Sequence, residues 1–353
     1  MTEGLQGVPV VALLGTRWAQ LEGHGTRWRA LVTRWADRGP VTVVDFPRFS
    51  RRVLGPRVRE RESWLPGTRL LDVTVPVLPV AQWGRTADAL RPLLPQDAVH
   101  VAATPLWAPL LPHLAGRCGF DAVDDWREHP AFAHLRARVE AGYRSLPRVD
   151  VVTAVSDELA RRLRADYRVE PVVVRNGVDL SAYDGDRPAP AGLPDGPFAV
   201  YVGVIEDRVD LTLLAEVAQY LPVVVAGPAR RTHEAGLLAT GATWLGPVAT
   251  GLVPGLLQRA AVGLVPHRAS SFTASMDPMK VLEYLAAGLP VVATPGIDHP
   301  AVVTVEPSRF AATAARLAGE GRNRSSHPSV RDLDWDVVAN QILGLLLGDR
   351  GPT

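Results

Sequence analysis

Short apolar runs rich in β-branched residues alternate with longer amphipathic stretches through the first half of the chain. Six such runs are VPVVALL (8–14), VTVVDF (41–46), LLDVTVPVL (70–78), AVHVAA (98–103), VDVVTAV (149–155) and PVVVRNG (171–177). Strands that are apolar on both faces and separated by helices are typical of a parallel sheet covered on both sides. The pattern therefore predicts a doubly wound α/β domain.

The same pattern restarts after DGDRPAPAGLPDGP (184–197), which is rich in proline and glycine and has the character of a linker. The later apolar runs are FAVYVGVI (198–205), LPVVVAGP (221–228), VGLVPH (262–267) and LPVVATPG (289–296). We predict two tandem Rossmann-like domains, residues 1–188 and 189–334, and a C-terminal helix in 335–353 that packs back toward the N-terminal domain. Because ligands of such sheets bind at the carboxyl ends of strands, we expect the site in a cleft between two facing domains.

The composition disfavours several classes of function. The 353 residues carry a net charge of +1, which favours neither nucleic acid nor an anionic membrane. A single cysteine, Cys118, excludes an internal disulfide and any multi-cysteine metal site, which fits a reducing cytosol. The N-terminus lacks the features of a signal peptide, and no apolar run approaches the roughly 20 residues of a membrane span. We expect a cytoplasmic protein without a nucleic-acid partner or a transmembrane segment.

One lysine, Lys280, stands among 37 arginines in the stretch SMDPMKVLEYLAAGLPVVATPG (275–296). Asp277 is a suitable N-cap, Pro278 suits the first helical position, and Gly288 suits the position after the C-cap. The sequence therefore predicts a short, sharply bounded helix that carries the lysine in its first turn.

Helical periodicity divides this helix into an apolar face and a polar face, and the polar face carries Lys280, Glu283, Tyr284 and Ala287. One interpretation makes Lys280 and Glu283 a solvated ion pair worth about 0.2–0.5 kcal/mol. The other places a phosphate-bearing ligand at the helix N-terminus, where backbone amides and the compact charge of a lysine would bind it. Spacing alone favours the ion pair and leaves both interpretations open.

The helix and the strand after it resemble the signature of GT-B-fold, retaining glycosyltransferases of family 4, the "glycosyl transferases group 1" type. Other similar segments follow in order: VVTAVSDELARRLR, VVVRNGVDLSAY, YVGVIEDRVDLTLL, ATWLGPV, AAVGLVPHR and LDWDVVANQILGLL. The resemblance covers most of the chain and is strongest from Val149 to Gly296. It implies a nucleotide-diphosphate sugar bound mainly by the C-terminal domain and a hydroxyl-bearing acceptor bound by the N-terminal domain.

The resemblance also implies roles for individual residues. Glu283 matches the carboxylate that binds the nucleotide ribose, and Gly203 and Arg208 match groups beside the leaving diphosphate. Gly15 would let the backbone approach phosphates and acceptor, although it also suits an ordinary loop after a strand. His267 is either a donor-site residue or a satisfied loop histidine. The loop that would present its amides to the diphosphate consists of Ser275, Met276, Asp277, Pro278 and Met279.

Two departures from the family pattern leave the donor sugar unassigned. The family often has a further glutamate eight residues before the ribose reader, where this chain has Ser275. It also often has arginine after the glycine that Gly203 matches, where this chain has Val204, so Arg208 remains as the cation with Lys280 nearby. A subset with the pattern P-x-K-x-x-E-Y-L-A-A-G shares the lysine and lacks the first glutamate.

The acidic segment CGFDAVDDWREHPAF (118–132) supplies the catalytic candidates. The same subset often has a similar DxxDD at a strand end, where Asp124, and after it Asp125, would orient the acceptor hydroxyl and stabilise positive charge at the anomeric carbon. The structural alternative is that Asp125 caps a helix and Asp121 is solvated.

No metal and no cofactor beyond the sugar donor are expected, since the D-x-D matches at 184–186, 332–334 and 334–336 do not follow a strand into a cleft. The arginine-rich segment 46–64 would suit an anionic acceptor or a membrane surface, but we favour a solvated loop. The sequence thus predicts a metal-independent, retaining glycosyltransferase. The alternatives are a nucleotide-sugar epimerase or hydrolase on the same fold, and a non-catalytic binding partner derived from it.

Overall fold

The chain folds into two compact units in a computed structural model that describes residues 6–23, 25–77, 82–321 and 325–348. The first unit contains the chain up to Arg175 and resumes at Trp335, and the second unit runs from Asn176 to Asp334. The transition at Arg175 comes before the linker-like segment 184–197, rather than at the expected residue 188.

The linker-like segment lies in the second unit because Gln258 holds its beginning. The backbone N–H of Arg187 donates to Gln258 Oε1 at 2.9 Å, and Gln258 Nε2 donates to the carbonyl oxygens of Tyr183 at 3.0 Å and Gly185 at 2.8 Å. A proline- and glycine-rich composition therefore does not make this segment a free connection.

A nine-stranded, mainly parallel sheet forms the centre of the first unit within the described residues. Its strands are β1 (Val10–Leu13), β2 (Val41–Val44), β3 (Arg48–Ser50), β4 (Arg57–Arg61), β5 (Thr68–Pro76), β6 (Val99–Ala102), β7 (Cys118–Ala122), β8 (Val151–Ala154) and β9 (Val172–Val173). They lie in the order β3-β5-β2-β1-β6-β7-β8-β9, and β4 pairs antiparallel with β5. The helices are α1 (Trp18–Leu21), α2 (Arg27–Ala36), α3 (Gln82–Leu90), α4 (Arg136–Tyr143) and α5 (Asp157–Tyr167). Strands β1, β2 and β6 are buried along their whole length, which explains their largely apolar sequences, although β2 includes Thr42 and β6 includes His100.

A six-stranded parallel sheet forms the centre of the second unit. Its strands are β10 (Ala199–Val202), β11 (Val223–Ala226), β12 (Thr243–Gly246), β13 (Val262–Val265), β14 (Val291–Ala293) and β15 (Val302–Thr304). The helices are α6 (Leu211–Ala218), α7 (Arg231–Leu238), α8 (Val253–Arg259), α9 (Ser271–Ala274), α10 (Met279–Ala286) and α11 (Pro307–Glu320). The strand order β12-β11-β10-β13-β14-β15 places β11 and β12 on one side of β10, and β13 to β15 on the other. The direction of strand progression therefore switches between β10 and β13.

The last helix, α12 (Trp335–Leu347), packs in the first unit against α2. Trp35 Nε1 donates to the carbonyl oxygen of Ala339 at 3.1 Å, and Arg34 lies 3.7 Å from the carboxylate of Asp336. Leu346 fills the space beside Gly119, because a Cβ at that glycine would lie 2.4 Å from the leucine side chain.

Several local predictions for α10 are wrong, and the one for Gly288 is confirmed. Pro278, not Asp277, occupies the N-cap position, and no side chain caps the helix there. Tyr284, expected on the polar face, is fully buried, and its hydroxyl accepts a hydrogen bond from the Val202 N–H at 2.9 Å. Gly288 adopts a left-handed φ of 71° after the helix, as predicted, and the N–H groups of Gly288 and Leu289 bond back to the last turn.

The arginine-rich segment 46–64 is also more ordered than the expected loop. It contains β3 and β4, which both pair with β5. On β4, Val58 packs against the core while arginines alternate with it on the other face, so the strand has no apolar run that a sequence pattern could detect.

Candidate functional site

The loops that follow β10 and β13 are bonded to each other at the switch point of the second sheet. The backbone N–H of Asp210 donates to the carbonyl oxygen of Pro266 at 2.8 Å, and that of Arg268 donates to Arg208 at 2.7 Å. Val209 and His267 form an antiparallel bridge between the same loops. Ligands of open α/β sheets bind at such a switch point, beyond the carboxyl ends of the strands.

Lys280, from the first turn of α10, points toward this switch point. Its Nζ lies 3.8 Å from the ring centroid of Tyr201, and a Cβ placed on Gly203 would lie only 2.9 Å from the same Nζ. Gly203 also has a φ of 137°, which residues other than glycine rarely adopt. The glycine after β10 therefore makes room for the lysine ammonium.

Several buried nitrogen atoms meet here without a hydrogen-bond partner among the described residues. They are Lys280 Nζ, Arg208 Nε, and both ring nitrogens of His267. The Arg208 guanidinium is nevertheless fixed in place, because its other end pairs with Glu206 at 2.6 Å. Buried polar atoms are nearly always hydrogen-bonded in folded proteins, so four in one place indicate a site for a ligand that accepts hydrogen bonds.

Burial and mutual repulsion shift the pKa values of this group. Burial, together with the charges of Lys280 and Arg208, lowers the pKa of His267 to about 2, so its imidazole is neutral. Burial and the charge of Arg208 hold the pKa of Lys280 well below its usual value, against the opposing effect of Glu283 and Glu206. An anion bound here would favour the charged form of the lysine and raise its pKa.

Glu283 lies one turn after Lys280 on α10, next to this cationic group. Its burial raises the pKa of the carboxyl to about 7, although the charge of Lys280 acts in the opposite direction. The carboxylate also raises the pKa of the neighbouring Tyr183, whose own burial is the larger cause. The Glu283 carboxyl forms no hydrogen bond with any side chain or amide of the described residues. The solvated Lys280–Glu283 pair of the first interpretation is therefore not what the structure contains.

The loop before α10 is rigid and partly occupied by its own contacts. Ser275 is fully buried, and its Oγ donates to the carbonyl oxygen of Phe272 at 2.9 Å. Asp277 Oδ2 accepts from the backbone N–H of Asn176 at 2.7 Å, and the Asp277 carbonyl accepts from Asn176 Nδ2 at 2.6 Å. The Asp277 carboxylate thus fixes the loop instead of capping the helix.

The amides at the start of α10 remain available. The backbone N–H groups of Met279 and Lys280 donate to no other described residue, as expected for the first turn of a helix. They add the positive end of the helix dipole to the cationic group. Met276 and Pro278 belong to the same loop, and Pro278 is the N-cap residue of α10. Their apolar side chains form no hydrogen bond with the described residues, as expected.

In the first unit, Gly15 follows β1, where the order of the sheet also reverses between β1 and β6. A Cβ on Gly15 would lie 2.9 Å from the ring of Trp126 and 3.2 Å from the carbonyl oxygen of Ala103. The buried Trp126 stacks on His129, and its indole Nε1 has no hydrogen-bond partner among the described residues. Trp126 was not predicted as a site residue from the sequence, although this residue directly follows the two candidate aspartates.

The two candidate aspartates have different surroundings. Asp125 is 1% exposed, and both its oxygens accept from the Arg127 guanidinium at 2.9 Å, with Arg162 at 3.3 Å. This pairing commits the Asp125 carboxylate to the structure and makes it a poor catalytic group. Asp124 is only partly buried, and its carbonyl oxygen accepts from the Tyr143 hydroxyl at 3.3 Å.

Asp121, expected to be solvated, lies in β7 and is completely buried. Its two oxygens accept from Arg27 Nε at 2.8 Å and Nη2 at 2.9 Å, and one also accepts from the Thr153 hydroxyl at 2.7 Å. Arg27 in turn donates to the carbonyl oxygens of Val174 and Arg175. A buried charge with all its partners present is structural, so Asp121 is not a site residue.

Comparison with known proteins finds a similarity in the second unit. The model of the protein family described as "Glycosyl transferases group 1" matches residues 197–319, which contain β10 to β15 and the whole cationic group. This part of the second unit is therefore similar to group 1 glycosyltransferases.

A curated relative extends this similarity beyond the glycosyltransferase domain. The chain is 25% identical to the putative teichuronic acid biosynthesis glycosyltransferase TuaH of Bacillus subtilis, over 58% of this chain and 58% of the relative. The chain thus matches little more than half the length of that protein.

Solved structures show that the two units together have the GT-B fold. A UDP-forming α,α-trehalose-phosphate synthase from Burkholderia xenovorans superimposes with a TM-score of 0.62 at 12% identity, covering 98% of this chain and 100% of the other. The sucrose-phosphate synthase of Thermosynechococcus elongatus gives 0.64 at 17% identity, with 96% and 98% covered. Anabaena Alr3699/HepE, solved in complex with UDP and glucose, gives 0.64 at 14% identity, with 96% and 99% covered.

Neither a metal-binding cluster nor a membrane-spanning helix is found among the described residues. No group of three or more histidine, cysteine, aspartate or glutamate side chains in those residues is arranged to hold a metal ion. None of the helices in the described part of the chain has both the length and the apolar character that a membrane crossing requires.

Proposed function

We propose that this protein is a metal-independent, retaining glycosyltransferase of the cytoplasm that moves a sugar from a nucleotide-diphosphate sugar to an acceptor hydroxyl. The observation that carries the proposal is the group of unpartnered buried donors on Lys280, Arg208 and His267 at the switch point of the glycosyltransferase domain. Two cations and a neutral imidazole around one space fit an anion with several acceptor oxygens, such as a diphosphate.

Each member of the site has a role in this proposal. Lys280, Arg208 and the amides at the start of α10 hold the diphosphate and stabilise the negative charge that grows on it as the glycosidic bond breaks. Neutral His267 donates one hydrogen bond to a phosphate or sugar oxygen. Glu283, whose carboxyl has no hydrogen bond with the described residues, accepts hydrogen bonds from the ribose hydroxyls. No cofactor other than the sugar donor is required.

The proposed reaction needs no protein nucleophile. The acceptor oxygen forms a bond to the anomeric carbon on the face from which the diphosphate leaves, and the bonding electron pair of the breaking C–O bond goes to the diphosphate. The acceptor proton passes to an oxygen of that leaving group. The protein cations are held in place before the reaction, which lowers the barrier without reorganisation.

We place the acceptor on the first unit, near Gly15, Trp126 and Asp124. Asp124 is partly exposed, whereas Asp125 is buried in ion pairs with two arginines, and Asp124 would orient the acceptor hydroxyl. The UDP named for several structures of the same fold supports a nucleotide diphosphate as the leaving group, and UDP-glucose is the first donor to test.

The decisive experiment follows nucleotide release and product mass with a panel of nucleotide-diphosphate sugars and simple glycoside acceptors. Transfer predicts a product heavier by one sugar, and retention predicts that it keeps the anomeric configuration of the donor. Release of free sugar would instead identify a hydrolase, and an isomerised donor would identify an epimerase. If no nucleotide-diphosphate sugar raises the melting temperature, the proposal is wrong.

A further inference from the structure

Strands β3 and β4 both pair with β5 at the outer edge of the first sheet. The turn between them is anchored by Val53, which is buried, while the next residue, Leu54, is 93% exposed. Leu54 is the most exposed large hydrophobic side chain among the described residues. We call residues 51–59, the turn with the first part of β4, the arginine tip.

Four exposed arginines flank Leu54 in the sequence of the arginine tip: Arg51, Arg52, Arg57 and Arg59. None of them forms an ion pair with a described residue. Their neighbours outside the tip differ, because Arg48 and Arg61 both pair with the buried carboxylate of Asp72, at 2.8 and 3.4 Å. The tip is therefore a concentrated positive charge on a chain whose net charge is only +1.

We propose that the arginine tip binds the surface of membranes that contain anionic lipids, with the four guanidinium groups on the headgroups and Leu54 inserted between acyl chains. Charge complementarity alone would equally suit a soluble polyanion. Leu54 decides between the two, because an exposed leucine in the same segment as the cations gains free energy only where an apolar phase lies beneath the phosphates. This interaction is independent of the proposed sugar transfer.

The structure sets the size of the effect. Each arginine at an anionic surface contributes about a five-fold increase in partitioning, so the four together contribute several hundred-fold. Full insertion of one leucine contributes roughly ten- to hundred-fold more. Such binding is reversible and weakens with salt, because the Debye length falls from about 10 Å at 0.1 M to about 3 Å at 1 M.

The test is flotation of the full chain with vesicles of phosphatidylcholine alone or with phosphatidylglycerol added. We expect binding only to the anionic vesicles. Replacing the four tip arginines with glutamine should reduce the partition coefficient several hundred-fold, and Leu54→Gln should reduce it ten-fold or more. Both sets are exposed, and unchanged melting temperatures would show that the variants fold.

The chain offers matched controls. Four other exposed arginines also form no ion pair with the described residues, and changing them to glutamine removes the same amount of charge. They are Arg85, Arg148, Arg309 and Arg331. Leu238, 63% exposed in the other unit, matches Leu54. Both controls should bind anionic vesicles as the unchanged protein does. The proposal would be overturned if the unchanged protein did not bind anionic vesicles, or if the control variants lost as much binding as the tip variants. It would also be overturned if Leu54→Gln bound both vesicles and soluble polyphosphate as well as the unchanged protein does.

Discussion

Replacing Lys280 with methionine should stabilise the free protein while it removes nucleotide binding. The buried ammonium has no hydrogen-bond partner among the described residues, and an unsatisfied buried polar group costs about 1–3 kcal/mol, more if it is charged. Its contact with the Tyr201 ring, 3.8 Å from the centroid, returns about 1–2 kcal/mol. Methionine has a similar length and no charge, and its sulfur can contact the same ring for about 0.3–1.5 kcal/mol.

The difference between these contributions is a gain of about 1 kcal/mol in the free energy of unfolding. For a domain of this size, that gain corresponds to a melting temperature about 2–4 °C higher. The same change should weaken binding of a nucleoside diphosphate by about 2–5 kcal/mol, because it removes a desolvated charge that faces the phosphates. At the lower end, the affinity would fall about thirty-fold.

Differential scanning calorimetry and titration calorimetry with UDP measure the two effects on one preparation. Arg309→Met is the matched control, since Arg309 is exposed on α11, outside the site, and should change neither quantity appreciably. A Lys280→Met protein that melts several degrees lower and binds UDP unchanged would refute the reasoning, since the lysine would then be a structural cation.

Four further outcomes follow from the site. Asp124→Asn should reduce turnover at least a hundred-fold with little change in nucleotide affinity, as steady-state kinetics would show. Asp125→Asn should instead lower the free energy of unfolding by about 3 kcal/mol, measured by urea unfolding, because it breaks a buried ion pair. Gly203→Ala should weaken UDP binding in titration calorimetry, because its Cβ would displace Lys280 Nζ, 2.9 Å away, and the φ of 137° at this position is strained for alanine. Bound UDP should raise the pKa of Lys280, so binding should take up protons at any pH where the lysine of the free protein is partly deprotonated, and the heat measured there should vary with the ionisation enthalpy of the buffer. The folded-state pKa of His267 is lowered to about 2, so below about pH 6.5 the unfolded chain binds a proton that the folded chain does not, and stability falls on acidification. In His267→Gln, the free energy of unfolding should change less steeply with pH, by up to about 1.4 kcal/mol per pH unit, as urea unfolding at several pH values would show.

The strands that the sequence revealed are rich in valine and other β-branched residues. Strands β1, β2 and β6 are buried on both faces, and their valines are sufficient for recognition although β2 includes Thr42 and β6 includes His100. Strand β7 escaped because it contains Asp121, a residue that a propensity argument assigns to a turn. Its partner Arg27 lies 94 residues away, so the information that makes a buried aspartate tolerable is not local.

The orientation of Lys280 could not be read from the helix either. A helical wheel assigns charged residues to solvent, and it therefore placed Lys280 and Tyr284 on an exposed face. In the structure the helix is buried on nearly all sides, and Gly263 provides the space for the Tyr284 ring, as a Cβ there would lie 2.4 Å from it. Sequence reasoning that follows hydrophobicity is expected to fail where a charge is buried for a ligand. The resemblance to a family indicated which residues of α10 belong to the candidate site, whereas the helical wheel assigned Lys280 and Tyr284 to the wrong face of the helix.

The two sheets use the glycine after their first strand in different ways, and the difference bears on their roles. Both Gly15 and Gly203 stand where the sheet order reverses, and a side chain at either would collide with a neighbour. The neighbour of Gly203 is the buried ammonium of Lys280, and the neighbour of Gly15 is the indole ring of Trp126. A cation at the switch point suits phosphates, whereas an aromatic ring with one free N–H suits a neutral, hydroxyl-bearing ring such as a sugar or aglycone. The same backbone feature thus supports a charged donor on the C-terminal domain and an acceptor group without charge on the N-terminal unit.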